Sequence, residues 1–160
     1  MHVSENRVSS GGMSIEERIL RELRRIAVVG LSDNPARPSF RVASYLRDQG
    51  YTILPVNPNL RDWQGLTAYA ELGAVPPPVE VVDIFRRAEA AGEVVDEAIR
   101  VGAKAVWMQE GVVDEDAAER ARQAGLMVVM DRCMLKEHRK LLERGSGSAS
   151  RSKDLPDTTS

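Results

Sequence analysis

The 160-residue sequence has a single cysteine, Cys133, so an intramolecular disulfide is excluded. No apolar run approaches the length of a membrane-spanning helix, and the first residues lack the basic and then apolar regions of a secretory signal. Acidic and basic residues nearly balance to a net charge of −2, which gives no electrostatic footprint for nucleic acid or an anionic membrane. These absences predict a cytoplasmic protein without nucleic-acid or membrane partners.

Motifs that define well-known sites are missing as well. The chain lacks the G-x-G-x-x-G fingerprint of dinucleotide-binding domains and the G-K-S/T ending of a P-loop. His2 and His138 have no ligand partners at metal-binding spacing, so no metal site is predicted. Glu137 and His138 are neighbours on a predicted helix, where adjacent side chains do not face each other, and they are interpreted as a surface pair or as support. No catalytic residue is predicted.

Short apolar runs alternate with helical patterns along the chain. Strands are predicted at 26–29, 51–56, 66–69, 79–85, 105–108 and 126–130. Helices are predicted after Ser14, from Pro38 to Gly50, at 93–101, between Asp114 and Gly125, and at 135–142. This alternation predicts an α/β fold, a single domain with a Rossmann-like, doubly wound parallel sheet of about five or six strands.

Both ends of the chain are predicted to lie outside this domain. Residues 1–13 are polar and contain a pair of glycines, and residues 144–160 are rich in serine with almost nothing to bury. Both segments are therefore predicted to be disordered. The folded domain is predicted to span residues 14–143.

The carboxyl ends of the predicted strands carry the candidate ligand residues, because ligands of an open parallel sheet bind outside those ends. The first strand leads through a loop to Pro38 at the first position of a helix. Such a helix end gathers unpaired N–H groups and suits a phosphate. Arg37 in the loop and Arg86 with Arg87 at a later strand end would add charge-assisted contacts. Asn57 stands where an NAD-binding domain usually has an acidic residue for the ribose, which argues against a dinucleotide.

Cys133 follows the last predicted strand and stands beside Arg132. A basic neighbour can make a thiol more reactive. The alternative is a small apolar side chain that fills a gap at the end of the sheet.

Six segments together resemble the small stand-alone CoA-binding proteins of bacteria. They are 28–32, 34–39, 51–58, 83–86, 107–112 and 131–138, and the resemblance covers roughly residues 14–142 in order and spacing. These proteins are similar to the N-terminal CoA-binding domain of the succinyl-CoA synthetase alpha subunit. The resemblance implies a Rossmann-like domain with coenzyme A lying across the carboxyl edge of the sheet.

The resemblance also implies which residues would hold coenzyme A. They are Gly30, Ser32, Asp33, Arg37, Pro38, Ser39, Val56, Asn57, Pro58, Phe85, Arg86, Gln109, Glu110 and Gly111. The loop after the first strand would follow the phosphates, residues 56–58 would border the adenosine, and residues 109–111 would lie toward the pantetheine arm. A side chain at position 30 is expected to obstruct the close approach of a phosphate to the backbone.

The implied function is a non-catalytic module that binds coenzyme A or an acyl-CoA, together with a protein partner of unidentified kind. The synthetase performs its phosphohistidine chemistry in a further domain, for which this chain has no room. Two alternatives stay open. One is a small enzyme, either an NAD(P)-dependent oxidoreductase or a thioester enzyme that uses Cys133, and the other is an interaction protein with a vestigial ligand edge.

Overall fold

The structure, a computed structural model, describes the backbone of residues 12–153 and the side chains of residues 12–145. Its helices are α1 (Ile15–Glu22), α2 (Pro38–Asp48), α3 (Ala88–Arg100), α4 (Glu115–Gln123) and α5 (Met134–Lys153). Its strands are β1 (Arg25–Val29), β2 (Thr52–Val56), β3 (Asp62–Trp63), β4 (Leu66–Thr67), β5 (Val81–Ile84), β6 (Ala105–Met108) and β7 (Met127–Val129). The alternation of helices and strands that the sequence predicts is therefore confirmed.

Five strands form one parallel sheet in the order β2-β1-β5-β6-β7. The predicted Rossmann-like, doubly wound α/β fold is thereby confirmed. After β1 the chain moves outward to β2 and then returns to the other side of β1 to form β5. The strand order thus reverses between β1 and β5, and a crevice opens at such a switch point outside the carboxyl ends of the strands.

The central strands are buried on both faces, which explains why they read as continuous apolar runs. Every residue of β5 and β6 is buried. Helices α1, α2 and α5 cover one face of the sheet with side chains that include Ile19, Leu20, Val42, Leu46 and Met134. Helices α3 and α4 cover the other face with side chains that include Val94, Val95, Ala98, Ala117 and Ala121.

The third and fourth strands differ from the prediction of a single edge strand over residues 66–69. Leu66–Thr67 pairs antiparallel with Asp62–Trp63 in a separate hairpin. The reason lies in the turn, because Gln64 and Gly65 both have positive φ angles of 49° and 82°, as a type I′ hairpin turn requires. Tyr69 adds only one bridge, beside Val56.

Strand β2 and helix α3 each have one further feature that concerns a proline or a helix start. Pro55 lies inside β2, opposite Val28, although proline cannot donate to a ladder. Because β2 is at the edge of the sheet, the missing N–H of Pro55 can face away from β1. Helix α3 begins at Ala88 and not at Glu93, since the alanines of its first turns favour a helix.

Helix α5 is longer than the predicted helix over residues 135–142. Its backbone continues to Lys153, into the segment for which disorder is predicted. Glycine weakens a helix by about 1 kcal/mol but does not forbid it, so Gly145 does not end α5. Residues 1–11 and 154–160 lie outside the described residues, and the division of the chain at 13/14 and 143/144 stays a prediction. None of the helices in the described part is long and apolar enough to cross a membrane.

Candidate functional site

A cleft of about 580 Å³ lies at the carboxyl edge of the sheet, where β1 and β5 end. We call it the edge cleft. Ten of the fourteen predicted ligand residues line it, namely Gly30, Ser32, Arg37, Pro38, Ser39, Phe85, Arg86, Gln109, Glu110 and Gly111. The other four lining residues lie outside the set that the resemblance implies, although Arg87 is among the arginines predicted to contact a phosphate; they are Val42, Arg87, Val112 and Cys133.

A second cleft of about 400 Å³, which we call the β2 cleft, opens between the end of β2 and helix α3. Val56 and Pro58 line this cleft together with Glu71 and Glu93. Arg86 lines both clefts, which are therefore adjacent at the switch point. Of the predicted residues, Asp33 and Asn57 line neither cleft.

The helices that follow the two switch-point strands begin at this edge without a side-chain cap. Arg37 is the N-cap of α2 and Arg87 is the N-cap of α3, and neither side chain makes a capping hydrogen bond. In contrast, the Ser14 side chain caps α1 and the Asp114 side chain caps α4. The first N–H groups of α2 and α3 thus lack a side-chain acceptor, although the Ala90 N–H of α3 donates to the Arg87 carbonyl at 2.9 Å. These N–H groups lie at the positive ends of the helix dipoles.

The loop between β1 and α2 is held by hydrogen bonds within the protein. The Ser39 hydroxyl accepts the Ser32 N–H at 3.0 Å, and the Ser32 hydroxyl accepts the Asn34 N–H at 3.0 Å. Asn57 donates from its side-chain amide to the Leu31 carbonyl at 2.9 Å, and the Trp63 indole donates to the Ser32 carbonyl at 3.0 Å. Asn57 therefore positions the loop from outside the clefts.

Gly30 has a structural reason to be glycine, in addition to the predicted approach of a phosphate. Its φ angle is +88°, and a Cβ atom there would lie 2.3 Å from the backbone oxygen of Phe85. Its N–H already donates to the Val56 carbonyl at 2.9 Å. Glycine is thus required for the junction of β1 with β5, whatever the ligand.

Three arginines surround the edge cleft with exposed side chains. Arg37, Arg86 and Arg87 make no ion pair or side-chain hydrogen bond within residues 12–145. Arginine is well suited to bidentate contacts with phosphate oxygens. Together with the two uncapped helix ends, these side chains give the cleft a donor-rich wall for an anion.

Beneath the cleft, Asp83 is a fully buried carboxyl group in β5. Its Oδ1 accepts a hydrogen bond from Nε2 of Gln109, which follows β6. Burial raises the pKa of Asp83 to about 8, against the smaller opposing effect of the Gln109 hydrogen bond. The carboxyl group is therefore mostly protonated at neutral pH. Sequence reasoning missed Asp83, although a single acidic residue inside an apolar run is an available signal.

The segment 131–133 follows β7 and is hydrogen-bonded to the residues at the end of β6. The Oδ1 atom of Asp131 accepts the Gly111 N–H at 2.8 Å, and the φ angle of Asp131 is +59°. The Arg132 carbonyl accepts the indole N–H of Trp107 at 2.9 Å. Cys133 then lies in the wall of the edge cleft at the start of α5. The segment therefore shapes the far wall of the cleft.

The family model described as CoA binding domain matches residues 24–139 of this chain. The chain belongs to this family. It is 38% identical over 122 residues to YneT, an uncharacterized protein of Bacillus subtilis, covering 76% of this chain and 90% of that protein. The family named by the sequence resemblance is thereby confirmed.

Solved structures share the fold. A hypothetical protein from Pyrococcus horikoshii OT3 is 38% identical, with a TM-score of 0.78, and the match covers 82% of this chain and 94% of that one. A dinucleotide forming acetyl-coenzyme A synthetase from Ca. Korarchaeum cryptofilum is 24% identical, with a TM-score of 0.60. That match covers 69% of this chain and 26% of the synthetase and is a likeness of fold alone. The CoA binding domain family thus includes this chain over nearly all of its described fold.

His138 lies away from the edge cleft, at the amino end of the sheet. It is buried and not on the surface, which corrects one of the two interpretations of the Glu137–His138 pair. Its Nδ1 is 2.8 Å from the Tyr45 hydroxyl, and burial, followed by the charge of Arg24, lowers its pKa. A cleft of about 560 Å³ adjoins it, lined also by Arg24 and Tyr51. We call this the amino-edge cleft.

Proposed function

We propose that this protein binds coenzyme A or an acyl-CoA at the carboxyl edge of its sheet, as a binding module without catalytic activity. One observation carries the proposal: α2 and α3 both begin at the edge cleft without side-chain caps, and each has an unpaired arginine as its N-cap. Membership of the CoA binding domain family supports the choice of ligand.

The donor-rich wall suits the phosphates of coenzyme A. A helix N-terminus stabilises an anion by about 0.3–1 kcal/mol when exposed, and a hydrogen bond to a charged group contributes about 1.5–3 kcal/mol. Pyrophosphate and 3′-phosphate oxygens would accept hydrogen bonds from the first N–H groups of α2 and α3, which have no side-chain cap, and from the three arginines, which make no ion pair within the described residues. The predicted role of the β1–α2 loop along the phosphates therefore remains part of the proposal.

The β2 cleft suits the adenosine end of the same ligand. It is joined to the edge cleft at Arg86, so an extended molecule can lie in both. Its wall carries the carboxylates of Glu71 and Glu93, which would repel a phosphate but can accept hydrogen bonds from neutral hydroxyl or amino groups. Val56 and Pro58 would contact the adenosine here, as the resemblance implies.

A reducing compartment fits this proposal, since the chain has one free cysteine in its edge cleft. We accordingly propose that the protein works in the cytoplasm, with coenzyme A in a form that a partner protein delivers or uses.

Calorimetric titration of the full chain with coenzyme A, acetyl-CoA, NAD and NADP tests the proposal. We expect saturable binding of coenzyme A or acetyl-CoA and much weaker binding of both dinucleotides. Tight NAD binding without coenzyme A binding would overturn it in favour of an oxidoreductase. Release of free thiol from acetyl-CoA by the protein, abolished in Cys133→Ala, would overturn the non-catalytic part in favour of a thioester enzyme.

A further inference from the structure

The amino-edge cleft lies at the opposite end of the sheet from the proposed coenzyme A site and shares no lining residue with the edge cleft. Its volume of about 560 Å³ is in the range of small-molecule sites in proteins. No acidic residue of the described chain lines it, whereas Arg21 and Arg24 do. The charge of its wall therefore favours an anionic ligand.

Arg24 is the arginine that such a ligand can reach without breaking an ion pair. The side chain of Arg21 pairs with Glu17 at 2.8 Å, whereas the guanidinium of Arg24 makes no ion pair or side-chain hydrogen bond within the described residues. The Cζ atom of Arg24 lies 4.9 Å from the centroid of the Tyr51 ring. This cation–π contact holds the guanidinium at the wall of the cleft, with its N–H donors available to a ligand.

His138 presents a second polar group to the same cleft, although the residue is only 7% exposed. Its Nδ1 is 2.8 Å from the Tyr45 hydroxyl, and its Nε2 has no partner among the described residues. Nε2 is not fully enclosed, since Asp83 Oδ2 is the one enclosed side-chain polar atom that lacks a partner there. Nε2 is therefore open to the cleft that His138 lines.

The pair of Tyr45 and His138 can provide a donor at Nε2. Burial and then the charge of Arg24 lower the pKa of His138, so the imidazole is neutral near pH 7 and has one hydrogen. The Tyr45 hydroxyl can either donate to Nδ1 or accept from it, so their hydrogen bond is kept in both tautomers. An anion in the cleft favours the tautomer with the hydrogen on Nε2. The charge of Arg139, whose Cζ atom lies 5.6 Å from the Tyr45 ring centroid, favours the same tautomer because it strengthens the hydroxyl as a donor.

From this arrangement we propose that the amino-edge cleft is a second ligand site, which binds a small organic acid through Arg24 and the Nε2–H of His138. A carboxylate has two oxygens, one for each of these donors. Leu20, Leu141 and Leu142 line the cleft as well and provide apolar surface for the rest of the molecule. Inorganic phosphate would place a further charged oxygen against these leucines, so the cleft favours a carboxylate with a short aliphatic body.

Titration of the full chain with hexanoate, followed by the backbone amide signals in two-dimensional NMR spectra, tests the proposal. It is done with and without saturating coenzyme A, because the donors of the edge cleft could also attract an acid. Hexanol lacks the charge and inorganic phosphate lacks the aliphatic body, so these two are the control ligands. Arg24→Met removes the guanidinium at nearly constant length. Its matched control is Arg122→Met, at an exposed arginine of α4 that lines none of the three clefts.

We expect hexanoate to shift the signals of Arg24, Tyr51 and His138 saturably under both conditions, and both control ligands to bind at least about tenfold more weakly. Arg24→Met should weaken hexanoate binding roughly tenfold, as the loss of a hydrogen bond to a charged group implies. His138→Asn, which has no group at the position of Nε2, should weaken it about two- to tenfold. Arg122→Met should bind as the wild type does.

Three results would each overturn the proposal. They are equal hexanoate affinities of the wild type and Arg24→Met, equal affinities for hexanoate and either control ligand, and shifts that are confined to the edge cleft. The exposed position of Arg24 keeps the first comparison decisive even if His138→Asn does not fold. The proposed coenzyme A site is independent of these results, and it fails separately if coenzyme A itself does not bind.

Discussion

Replacing Gly30 by alanine should destabilise the fold far more than the same change at another glycine with similar backbone geometry. At Gly30, with φ of +88°, the added Cβ would lie 2.3 Å from the Phe85 backbone oxygen. At Gly102, with φ of +79°, the added Cβ has no heavy atom within 4 Å. The pair of variants therefore separates the cost of the left-handed backbone from the cost of the clash.

The left-handed conformation costs an alanine about 1–2 kcal/mol. Gly102→Ala should show this cost, reduced in part because alanine lowers the conformational entropy of the unfolded chain. Gly30→Ala adds an overpacked contact against backbone, worth about 1–3 kcal/mol. We expect a loss in the free energy of unfolding of about 1 kcal/mol for Gly102→Ala and about 2–4 kcal/mol for Gly30→Ala.

Urea unfolding followed by tryptophan fluorescence measures both losses, because Trp63 and Trp107 are almost completely buried. Equal losses for the two variants would refute the close junction of β1 with β5. Since Gly30→Ala perturbs the sheet itself, weaker ligand binding by that variant would not identify a phosphate contact.

Three further predictions concern the ligand, a buried acid and the chain end. Arg37→Ala should weaken coenzyme A binding roughly ten- to a hundredfold without lowering the melting temperature. The control variant Arg122→Ala, at an exposed position on α4, should bind coenzyme A as the wild type does. An Arg37→Ala affinity that calorimetry finds unchanged would make Arg37 an ordinary surface residue. Arg37→Ala should lower the affinity for dephospho-CoA less than the affinity for coenzyme A if Arg37 contacts the 3′-phosphate. It should lower both affinities equally if Arg37 contacts the pyrophosphate. In the folded protein the pKa of Asp83 is about 8, well above the ordinary aspartate value. Between these two pKa values, rising pH should therefore destabilise the wild type relative to Asp83→Asn by up to about 1.4 kcal/mol per pH unit. A difference in unfolding free energy that stays constant between pH 4 and 8 would show that the carboxyl is not buried as described. Deletion of residues 146–160, which include few apolar side chains, should leave the melting temperature and the coenzyme A affinity unchanged, and a clear drop in either would mean that this segment packs on the domain.

The sequence contained enough to predict the sheet and most of the edge cleft, because those features follow from local patterns. The run Ile26–Val29, the glycine after it and Pro38 at a helix start specify a strand, a turn and a helix within one short segment. The order of such units then brings the strand ends to one edge. Ten predicted residues share the edge cleft for this reason.

Contacts between distant segments could not be predicted in the same way. Asp83 and Gln109 are separated by 26 residues in the chain, and their hydrogen bond depends on the register of β5 with β6. The hydrogen bond from Asn57 to the Leu31 carbonyl likewise spans 26 residues, and it gives Asn57 a role in holding the loop that its place in the sequence does not indicate. The sequence does not indicate that His138 is buried, because its ring contacts with Tyr45 and Tyr51 join segments that are far apart in the chain.

The position of coenzyme A in a crystal structure of the complex tests the central claim most directly. We predict that its phosphates contact the first N–H groups of α2 and the side chain of Arg37, with the adenosine in the β2 cleft. Coenzyme A bound instead in the amino-edge cleft beside Tyr51 and His138, with the edge cleft free of ligand, would contradict the account.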